Sequence, residues 1–349
     1  MPDTQPDPSV MAHSAHIAER WLYPTDAGLY CEPGDFFIDP HRPSPRAVIT
    51  HGHADHARAG HDAVLTTSET AAIMRLRYGP DAVGKFETVA YGETHRIKGL
   101  DLKLVPAGHI LGSAQVVIEY QGTRVAISGD YKRSPDPTCE PFELINCDVF
   151  VTEATFALPV FRHEAAQKEI QRLLDSLRLE PDRPHLVGVY GLGKCQRVIK
   201  LLREQGYDEP IWLHGALVSL CDLYKDLGHD LGDLRVVETE KPGGAGQGII
   251  MCPPSALGDR WSRRFPDSVS AFASGWMRIR ARARQRGVEL PLVISDHADW
   301  PELIATIRET GAEEIWVTHG RDDALVHQLS QMGVKAKALA LVGFEDEAE

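Results

Sequence analysis

Short apolar segments of strand length alternate with turns through the first half of the chain. Between residues 36 and 155 they read FFIDP, RAVITH, LDLKLVPAG, AQVVIEY, TRVAISGD and CDVFVTEA. Their length and their β-branched content predict strands. One helical pattern, SETAAIMRLRYG, interrupts them, and we expect Ser68 to cap this helix and Gly79 to end it. The spacing predicts a layered sheet with helices outside.

The periodicity changes near residue 163. Residues 163–180, HEAAQKEIQRLLDSLRLE, have apolar positions at helical spacing, and PDRP ends this pattern. The strand-like segments HLVGVYG, PIWLHG and GIIMCPP follow, with helical patterns after the first two. Alternation of strand and helix predicts a small parallel α/β sheet. The last part, from PLVISDHADW onward, resumes strands and helices and places His297 and His319 at strand ends.

Length and composition are those of an ordinary globular protein. The 349 residues are enough for two domains, and residues 1–15 are polar and without period, which predicts a disordered tail. No apolar run approaches the ~20 residues of a membrane helix, and the first residues lack the pattern of a secretory signal. The six cysteines are scattered without a C-x-x-C pair, which favours reduced structural thiols. We therefore expect a cytoplasmic protein without a membrane partner.

The segment VITHGHADHARAG concentrates metal-binding side chains directly after an apolar strand. His51, His53, Asp55 and His56 lie within six residues. Side chains that follow a strand lie at its carboxyl end, where α/β sheets present their functional groups. Imidazole suits zinc and similar ions, and a carboxylate neutralises part of their charge. A lone histidine here would more often be structural, but this group predicts a metal site.

HGHADH resembles the H-x-H-x-D-H signature of the metallo-β-lactamase superfamily. The resemblance implies an α/β fold, an αββα sandwich of two packed sheets flanked by helices, with two metal ions at one edge. Two more ligands are expected at strand ends in PAGHILGSA and ISGDYK, and Asp39 in FFIDP is expected to orient ligands without binding metal. By this resemblance one ion is bound by His51, His53 and His109, the other by Asp55, His56 and His319, and Asp130 bridges both.

The later motifs resemble the β-CASP branch of that superfamily, which includes nucleases of messenger RNA 3′ end processing, RNase J and the DNA repair nuclease Artemis. Glu153 in TEATF matches the first extra motif, His297 in ISDHADW the second and His319 in VTHG the third. The implied fold carries an inserted small parallel α/β domain, the β-CASP domain. The implied boundaries are 16–162 for the first part of the metallo-β-lactamase domain, 163–288 for the β-CASP domain and 289–349 for the return to the first domain.

The combination of FIDPHRP, ITHGHADHAR, GHILGSAQVVIEY, SGDYKR and TEATFALPVFRH resembles the bacterial ligase-associated DNA exonucleases, over nearly the whole chain beyond residue 16. This resemblance implies a DNA exonuclease acting on single-stranded ends in repair, in functional association with an ATP-dependent DNA ligase and a helicase. His319 favours the alternative of an RNA-processing nuclease, because Artemis-like DNA enzymes usually carry an apolar residue at that motif. A small-molecule metallohydrolase and a noncatalytic scaffold are further alternatives, although all seven predicted ligands are present.

The expected reaction is hydrolysis of a phosphodiester with two divalent metal ions, for which zinc, manganese and iron all suit the ligand set. By the resemblance His297 is not a ligand. It is the candidate proton donor to the leaving oxygen, with Glu153 holding the imidazole charged and oriented. The alternative is that Asp296, His297 and Asp299 cap the helix that begins at PELIATI, and for Asp299 we favour the cap.

Several basic residues are candidates for nucleic-acid contact despite the net charge of −13, because binding depends on the distribution of charge. Lys132 and Arg133 directly follow Asp130. Lys194 closes the glycine-rich turn VYGLGKC before a predicted helix, where backbone amides bind phosphate, although Cys195 replaces the Ser or Thr of a nucleotide-binding P-loop. The run MRIRARARQRG has arginine at every second position: Arg278, Arg280, Arg282, Arg284 and Arg286. These arginines would share one face in a strand and spread around the axis in a helix, and either phosphate contact or a solvated surface fits them.

Overall fold

The computed structural model describes residues 18–237, 247–320 and 322–339. The predicted tail, residues 1–15, lies outside the described residues. The described residues divide into two compact units. Unit 1 contains the residues up to Pro135, then Cys139–Val160, and the residues from His297 on, whereas unit 2 contains Asp136–Thr138 and Phe161–Asp296.

The first sheet of unit 1 has six strands, numbered along the chain. They are β1 (Leu22–Thr25), β2 (Gly28–Cys31), β3 (Phe36–Ile38), β4 (Arg46–Val48), β5 (Ala63–Thr66) and β6 (Lys85–Thr88). They pair in chain order, antiparallel from β1 to β3 and parallel from β3 to β6. This sheet therefore directs the carboxyl ends of β3 to β6 toward one edge.

Helix α1 (Ser68–Tyr78) follows β5 and begins at Ser68, so its cap is the preceding residue, Thr67. The side chain of Thr67, not of Ser68, accepts the hydrogen bond from the Thr70 N–H at 3.2 Å, so the prediction of Ser68 as the cap was wrong. Both residues carry the hydroxyl that capping requires, and only the extended backbone of Thr67 points it at the open amide. Gly79 ends the helix, as predicted, with a φ of 89°.

The second sheet of unit 1 has seven strands. They are β7 (Thr94–Ile97), β8 (Leu100–Pro106), β9 (Ala114–Tyr120), β10 (Thr123–Ile127), β11 (Val149–Ala154), β18 (Glu314–Gly320) and β19 (Lys335–Ala338). The spatial order is β19-β18-β11-β10-β9-β8-β7. Strands β7 to β10 are antiparallel, and β10, β11, β18 and β19 are parallel.

Side chains from the two sheets of unit 1 share one core. Phe36 and Leu65 of the first sheet belong to the same buried cluster as Leu102 and Val125 of the second. Successive side chains of β10 face opposite sides of the sheet, since Val125 belongs to this cluster and Ala126 to the cluster on the other face. Each sheet therefore buries one face against the other sheet.

Helices cover the opposite faces of both sheets. Helices α6 (Trp300–Glu309) and α7 (Asp322–Gln331) place Leu303 and Leu325 against Phe150 of the second sheet. Met74 of α1 packs with buried side chains of the first sheet. Asp299 caps α6 by accepting the Glu302 N–H at 3.1 Å, as predicted.

Unit 2 contains one sheet of six strands, all parallel, in the order β14-β13-β15-β12-β16-β17. The parallel pairing agrees with the alternation of strand and helix in the sequence. The strands are β12 (His185–Gly188), β13 (Ile211–Leu213), β14 (Leu234–Val236), β15 (Ile249–Cys252), β16 (Val269–Ala273) and β17 (Leu290–Leu292). The helices are α2 (Ala166–Leu179), α3 (Lys194–Glu204), α4 (Gly215–Asp226) and α5 (Arg280–Gln285), with short 3-10 helices at Pro254–Gly258, Ser262–Arg264 and Gly275–Arg278.

No helix in the described part of the chain combines the length and the apolar character that crossing a membrane requires.

Candidate metal centre

The predicted ligands of unit 1 come together from the ends of strands in both sheets. His51 follows β4 of the first sheet, His109 follows β8 of the second, and Asp130 follows β10. His319 is the second-last residue of β18, and Glu153 lies in the neighbouring strand β11. Residues far apart in the chain therefore meet because their strands end at the same edge.

Three imidazoles and one carboxylate form the first group of donors. Nδ1 of His53 lies 3.1 Å from Nε2 of His51 and 3.0 Å from Nε2 of His109. Oδ2 of Asp130 lies 3.4 Å from Nε2 of His51, and one ligand atom from each of these four residues falls within 4.8 Å of all the others. Two nitrogens bound tetrahedrally to zinc at 2.0–2.1 Å stand about 3.3 Å apart. The donor set and its spacing therefore fit a zinc-like cation.

A second group of side chains faces the same oxygen of Asp130. Nε2 of His56 is 3.4 Å from Oδ2 of Asp55 and 3.5 Å from Oδ2 of Asp130. The ring of His319 stacks on that of His56 at a centroid distance of 5.0 Å. Oδ1 of Asp55 is buried and accepts a hydrogen bond from none of the described residues. One oxygen of Asp130 thus faces imidazoles of both groups, which is the position of a ligand shared by two cations.

Asp39 lies behind these ligands and fixes two of them. Its Oδ1 accepts the Thr50 N–H at 2.8 Å, and its Oδ2 accepts the Thr50 hydroxyl at 2.6 Å and lies 2.8 Å from Nδ1 of His56. Because the Thr50 hydroxyl donates to Asp39, its oxygen can accept from Nδ1 of His51, which lies 3.0 Å away. Both histidines then carry their proton on Nδ1 and turn Nε2 toward Asp130. Thr50 was not predicted, because a hydroxyl beside a ligand has no spacing signal of its own.

The charge of the site favours a cation. Burial lowers the pKa of His51 well below its ordinary value and that of His319 to about 4, so both imidazoles are neutral near pH 7 and offer a lone pair. Burial also lowers the pKa of His56, but the Asp130 and Asp55 carboxylates outweigh it and raise this pKa well above the ordinary value. Burial raises the pKa of Asp130, and the surrounding imidazoles overcome it and hold this pKa well below the usual range. An anionic Asp130 thus draws positive charge to this point.

His297 and Glu153 form a pair beside the donor groups. Nδ1 of His297 lies 2.9 Å from Oε2 of Glu153 and 4.0 Å from Oδ2 of Asp130. Oε1 of the fully buried Glu153 accepts the Tyr131 N–H at 2.8 Å, which fixes the carboxylate. The ring of His297 is 4.7 Å from that of His109. The backbone amide of Tyr131 was not predicted, because every residue carries one and only the fold selects it.

Two glycines allow the chain to turn directly before a ligand. Gly108 precedes His109 with a φ of 72°, and a Cβ there would lie 2.4 Å from the carbonyl oxygen of Lys132. Gly129 precedes Asp130 with a φ of 55°, and a Cβ there would lie 2.9 Å from Cβ of Thr50. Only glycine adopts this conformation at so close an approach without strain.

The two basic residues after Asp130 differ in their exposure to solvent. The side chain of Lys132, a candidate for nucleic-acid contact, is buried, with 1% of the residue exposed. Arg133 is partly exposed, and its Nη2 lies 2.7 Å from Oε2 of Glu309. Its guanidinium also lies 5.9 Å from the ring of Phe142.

In unit 2, Lys194 is buried and paired with a carboxylate. Its Nζ lies 3.1 Å from Oδ2 of Asp296. The glycine-rich turn is closed by Gln196, whose side chain accepts from the Gly193 N–H and donates to the carbonyl of Gly191, both at 2.9 Å. The structure therefore gives Lys194 an internal partner. The arginine run forms the 3-10 helix Gly275–Arg278 and helix α5, not a strand.

The curated proteins to which this chain is similar include the following three. It is 28% identical over 324 residues to a "Probable DNA ligase" of Opitutus terrae, which covers 91% of this chain and 31% of that protein. It is 32% identical over 155 residues to "Endoribonuclease YSH1" of Saccharomyces cerevisiae, 40% of this chain and 20% of that protein. It is 29% identical over 147 residues to "Cleavage and polyadenylation specificity factor subunit 3" of Dictyostelium discoideum, 39% of this chain and 19% of that protein. The chain thus spans less than a third of each of these relatives.

The fold is similar to that of a solved structure. A protein of unknown function from Enterococcus faecalis superposes with a TM-score of 0.57 over 86% of this chain and 80% of that one, at 11% identity. No protein-family model matches the chain.

Proposed function

We propose that this chain, which belongs to the β-CASP branch of the metallo-β-lactamase superfamily, is a metal-dependent DNA exonuclease that acts on single-stranded ends in repair. The observation that carries this proposal is that one oxygen of Asp130 faces the imidazoles of both groups, while Nδ1 of His297, which is paired with Glu153, lies 4.0 Å from that oxygen. The two packed sheets of unit 1 with their helices are assigned as the αββα sandwich, and residues 163–288 as the inserted β-CASP domain.

The donor groups suit two divalent cations. When bound, these cations would lower the pKa of a water molecule and neutralise charge that grows on the phosphate oxygens. Zinc fits the imidazole-rich set, and manganese and iron also bind such ligands. The residues that would hold them are His51, His53 and His109 for the first, Asp55, His56 and His319 for the second, and Asp130 for both.

His297 is assigned as the proton donor to the leaving sugar oxygen. Its Nδ1 faces Glu153 at 2.9 Å, so the carboxylate favours the protonated imidazole and fixes the orientation of the ring. Nε2, the second ring nitrogen, would then donate to the leaving oxygen. Glu153 acts through His297 and is held by the Tyr131 N–H. General acid catalysis by a residue placed in this way contributes about 10²–10⁴-fold to the rate.

DNA is the favoured substrate because the similarity to the protein named a probable DNA ligase extends over 91% of the chain. That relative also supports a functional association with an ATP-dependent DNA ligase, and by the same resemblance with a helicase. The second candidate is an RNA-processing nuclease. His319 favours it, as do the endoribonuclease relatives, which match 36–47% of the chain.

The test is digestion of single-stranded DNA and RNA oligomers of the same sequence, labelled at the 5′ or the 3′ end, with manganese or zinc added. We expect progressive shortening of DNA, and the labelled end reveals the polarity of digestion. The Asp130→Ala variant is the control for contaminating nucleases. Cleavage of RNA alone would establish the second candidate, and equal activity of the Asp130→Ala variant would contradict the assignment of the site.

A further inference from the structure

A segment of unit 2, Trp276–Arg286, exposes five arginines and is called the arginine segment below. It follows the carboxyl end of β16, where α/β proteins place their binding groups. Arg278, Arg280, Arg282, Arg284 and Arg286 are all exposed. Met277 and Ala283 are buried and anchor the segment to the unit. The helical conformation therefore turns apolar side chains inward and distributes the arginines over the outer surface.

Four of the five arginines form two pairs at helical spacing. The guanidinium of Arg282 lies 3.8 Å from the ring centroid of Trp276, and that of Arg286 lies 5.0 Å from the ring of Phe272. This stacking restricts the two side chains, so less entropy is lost when they bind a ligand. Arg280 and Arg284 form the other pair, and neither makes an ion pair with any residue in the described ranges.

The segment contrasts in charge with the rest of the chain. The whole chain carries a net charge of −13, yet residues 268–288 contain no aspartate or glutamate. Glu289, the next acidic residue, is already paired with Arg183 at 3.0 Å. Five cations so close together repel each other, and Arg280 and Arg284 have no carboxylate partner among the described residues. A polyanion that binds these two side chains relieves this repulsion.

We propose that the arginine segment binds the phosphate backbone of single-stranded DNA independently of its sequence. This inference rests on the proposed nuclease function, because it assigns a binding surface for the substrate of that activity. Anionic lipid is the less suitable occupant. The exposed residues from 278 to 286 are arginine, alanine and glutamine, so the segment lacks the large apolar face that inserts into a membrane.

The size of the effect follows from counterion release. Each phosphate contact to single-stranded DNA contributes about −0.7 to the slope of log K against log salt concentration. Loss of the contacts of Arg280 and Arg284 should therefore make the slope shallower by about 1.4. If parent and variant bind equally at 1 M salt, this difference in slope makes the affinity of the variant about 25-fold lower than that of the parent at ~0.1 M salt.

The experiment compares the double variant Arg280→Gln, Arg284→Gln with a control double variant that has the same net charge. The control is Arg178→Gln with Arg235→Gln, in the same unit, where both arginines are exposed and each already pairs with an aspartate at 2.7 Å. Binding of a labelled oligothymidylate is followed by fluorescence anisotropy over a series of salt concentrations. All proteins carry Asp130→Asn to prevent digestion.

At ~0.1 M salt we expect the Arg280→Gln, Arg284→Gln variant to lose about 25-fold in affinity and to show the shallower salt dependence. The control should bind like the parent. Lysine at both positions should restore binding. Equal slopes for variant and control, or no recovery with lysine, would overturn the proposal. So would a variant that binds DNA normally but no longer binds phosphatidylserine vesicles that the parent binds, since this result would indicate a membrane surface.

Hydrolysis of bis(p-nitrophenyl) phosphate separates this inference from the proposed function. This small diester needs the metal centre and has a single phosphate, so it has no nucleic-acid backbone for the arginine segment to bind. With Asp130 intact, the Arg280→Gln and Arg284→Gln variant should hydrolyse it like the parent, and a loss would overturn the inference by showing that the substitutions disturb the site. If the parent hydrolyses neither this diester nor DNA, the nuclease function fails, whatever the binding series shows.

Discussion

Removal of the Asp296 carboxylate should destabilise unit 2 strongly, because this group neutralises buried cations. Its Oδ2 lies 3.1 Å from Nζ of Lys194, and its Oδ1 lies 3.1 Å from Nη1 of Arg197. Nε of Arg197 also lies 3.3 Å from Oδ2 of Asp136. The side chains of Lys194 and Arg197 are 3% and 4% exposed, and that of Asp296 is 8% exposed. Two cations and two anions therefore balance each other away from water.

The expected cost of Asp296→Asn is about 3–5 kcal/mol, the range for removing one partner of a buried ion pair. Arg197 keeps Asp136, whereas Lys194 loses the carboxylate that faces it. Lys194→Met should cost less, because Asp296 keeps Arg197 at 3.1 Å. The double variant Asp296→Asn with Lys194→Met removes one charge of each sign, so it should be more stable than Asp296→Asn alone.

Urea unfolding followed by tryptophan fluorescence measures these differences, since Trp212, Trp261 and Trp276 report on unit 2. The midpoint should fall with little change in the dependence on urea concentration. Asp233→Asn is the matched control, because its partner Arg235 is 51% exposed and such pairs contribute at most about 1 kcal/mol. A loss below about 1 kcal/mol for Asp296→Asn, or a double variant less stable than Asp296→Asn, would refute the reasoning.

Four further predictions concern unit 1. Asp130→Asn should abolish oligonucleotide hydrolysis and reduce the metal content measured by elemental analysis, because both donor groups face this carboxylate; retention of activity and metal would contradict the shared-ligand assignment. His297→Ala should lower kcat by about 10²–10⁴-fold at unchanged metal content. Glu153→Gln should lower kcat less, and a loss of metal in either variant would instead indicate a ligand. Asp299→Ala should reduce the free energy of unfolding by about 1 kcal/mol, because α6 loses its cap, whereas a difference near zero in urea unfolding would show that the cap is dispensable.

Much of the sheet structure was predictable from apolar runs. LDLKLVPAG became β8, whose apolar residues alternate with the partly buried Asp101 and Lys103 at its start. AQVVIEY became β9, whose first five residues are all buried. The edge strands β6 (KFET) and β7 (THRI) were not predicted. They contain exposed residues and lie at the ends of their sheets, so their pairing depends on the neighbouring strand more than on their own pattern.

The arginine run shows the limit of local periodicity. Arginine at every second position suits one face of a strand as well as a solvated helix, and both conformations were open. The structure has a helix there, because burial of Met277 and Ala283 and the stacking of Arg282 on Trp276 all favour it. These contacts join side chains whose proximity no count of polar and apolar positions reveals.

The sequence alone determined the types and the local order of the candidate ligands, because a metal site requires particular donor atoms and strand ends present them at a short spacing. It also determined that a small parallel sheet follows the first strands, because strands and helices alternate there. Only the tertiary structure decided which partner each of these groups receives. Glu153 and His297 are 144 residues apart, Asp39 reaches His56 from another strand, and Lys194 is paired with Asp296 and buried. Such partners are selected by the packing of whole elements, since hydrogen bonds and ion pairs act over a few ångströms in space and leave no period in the chain.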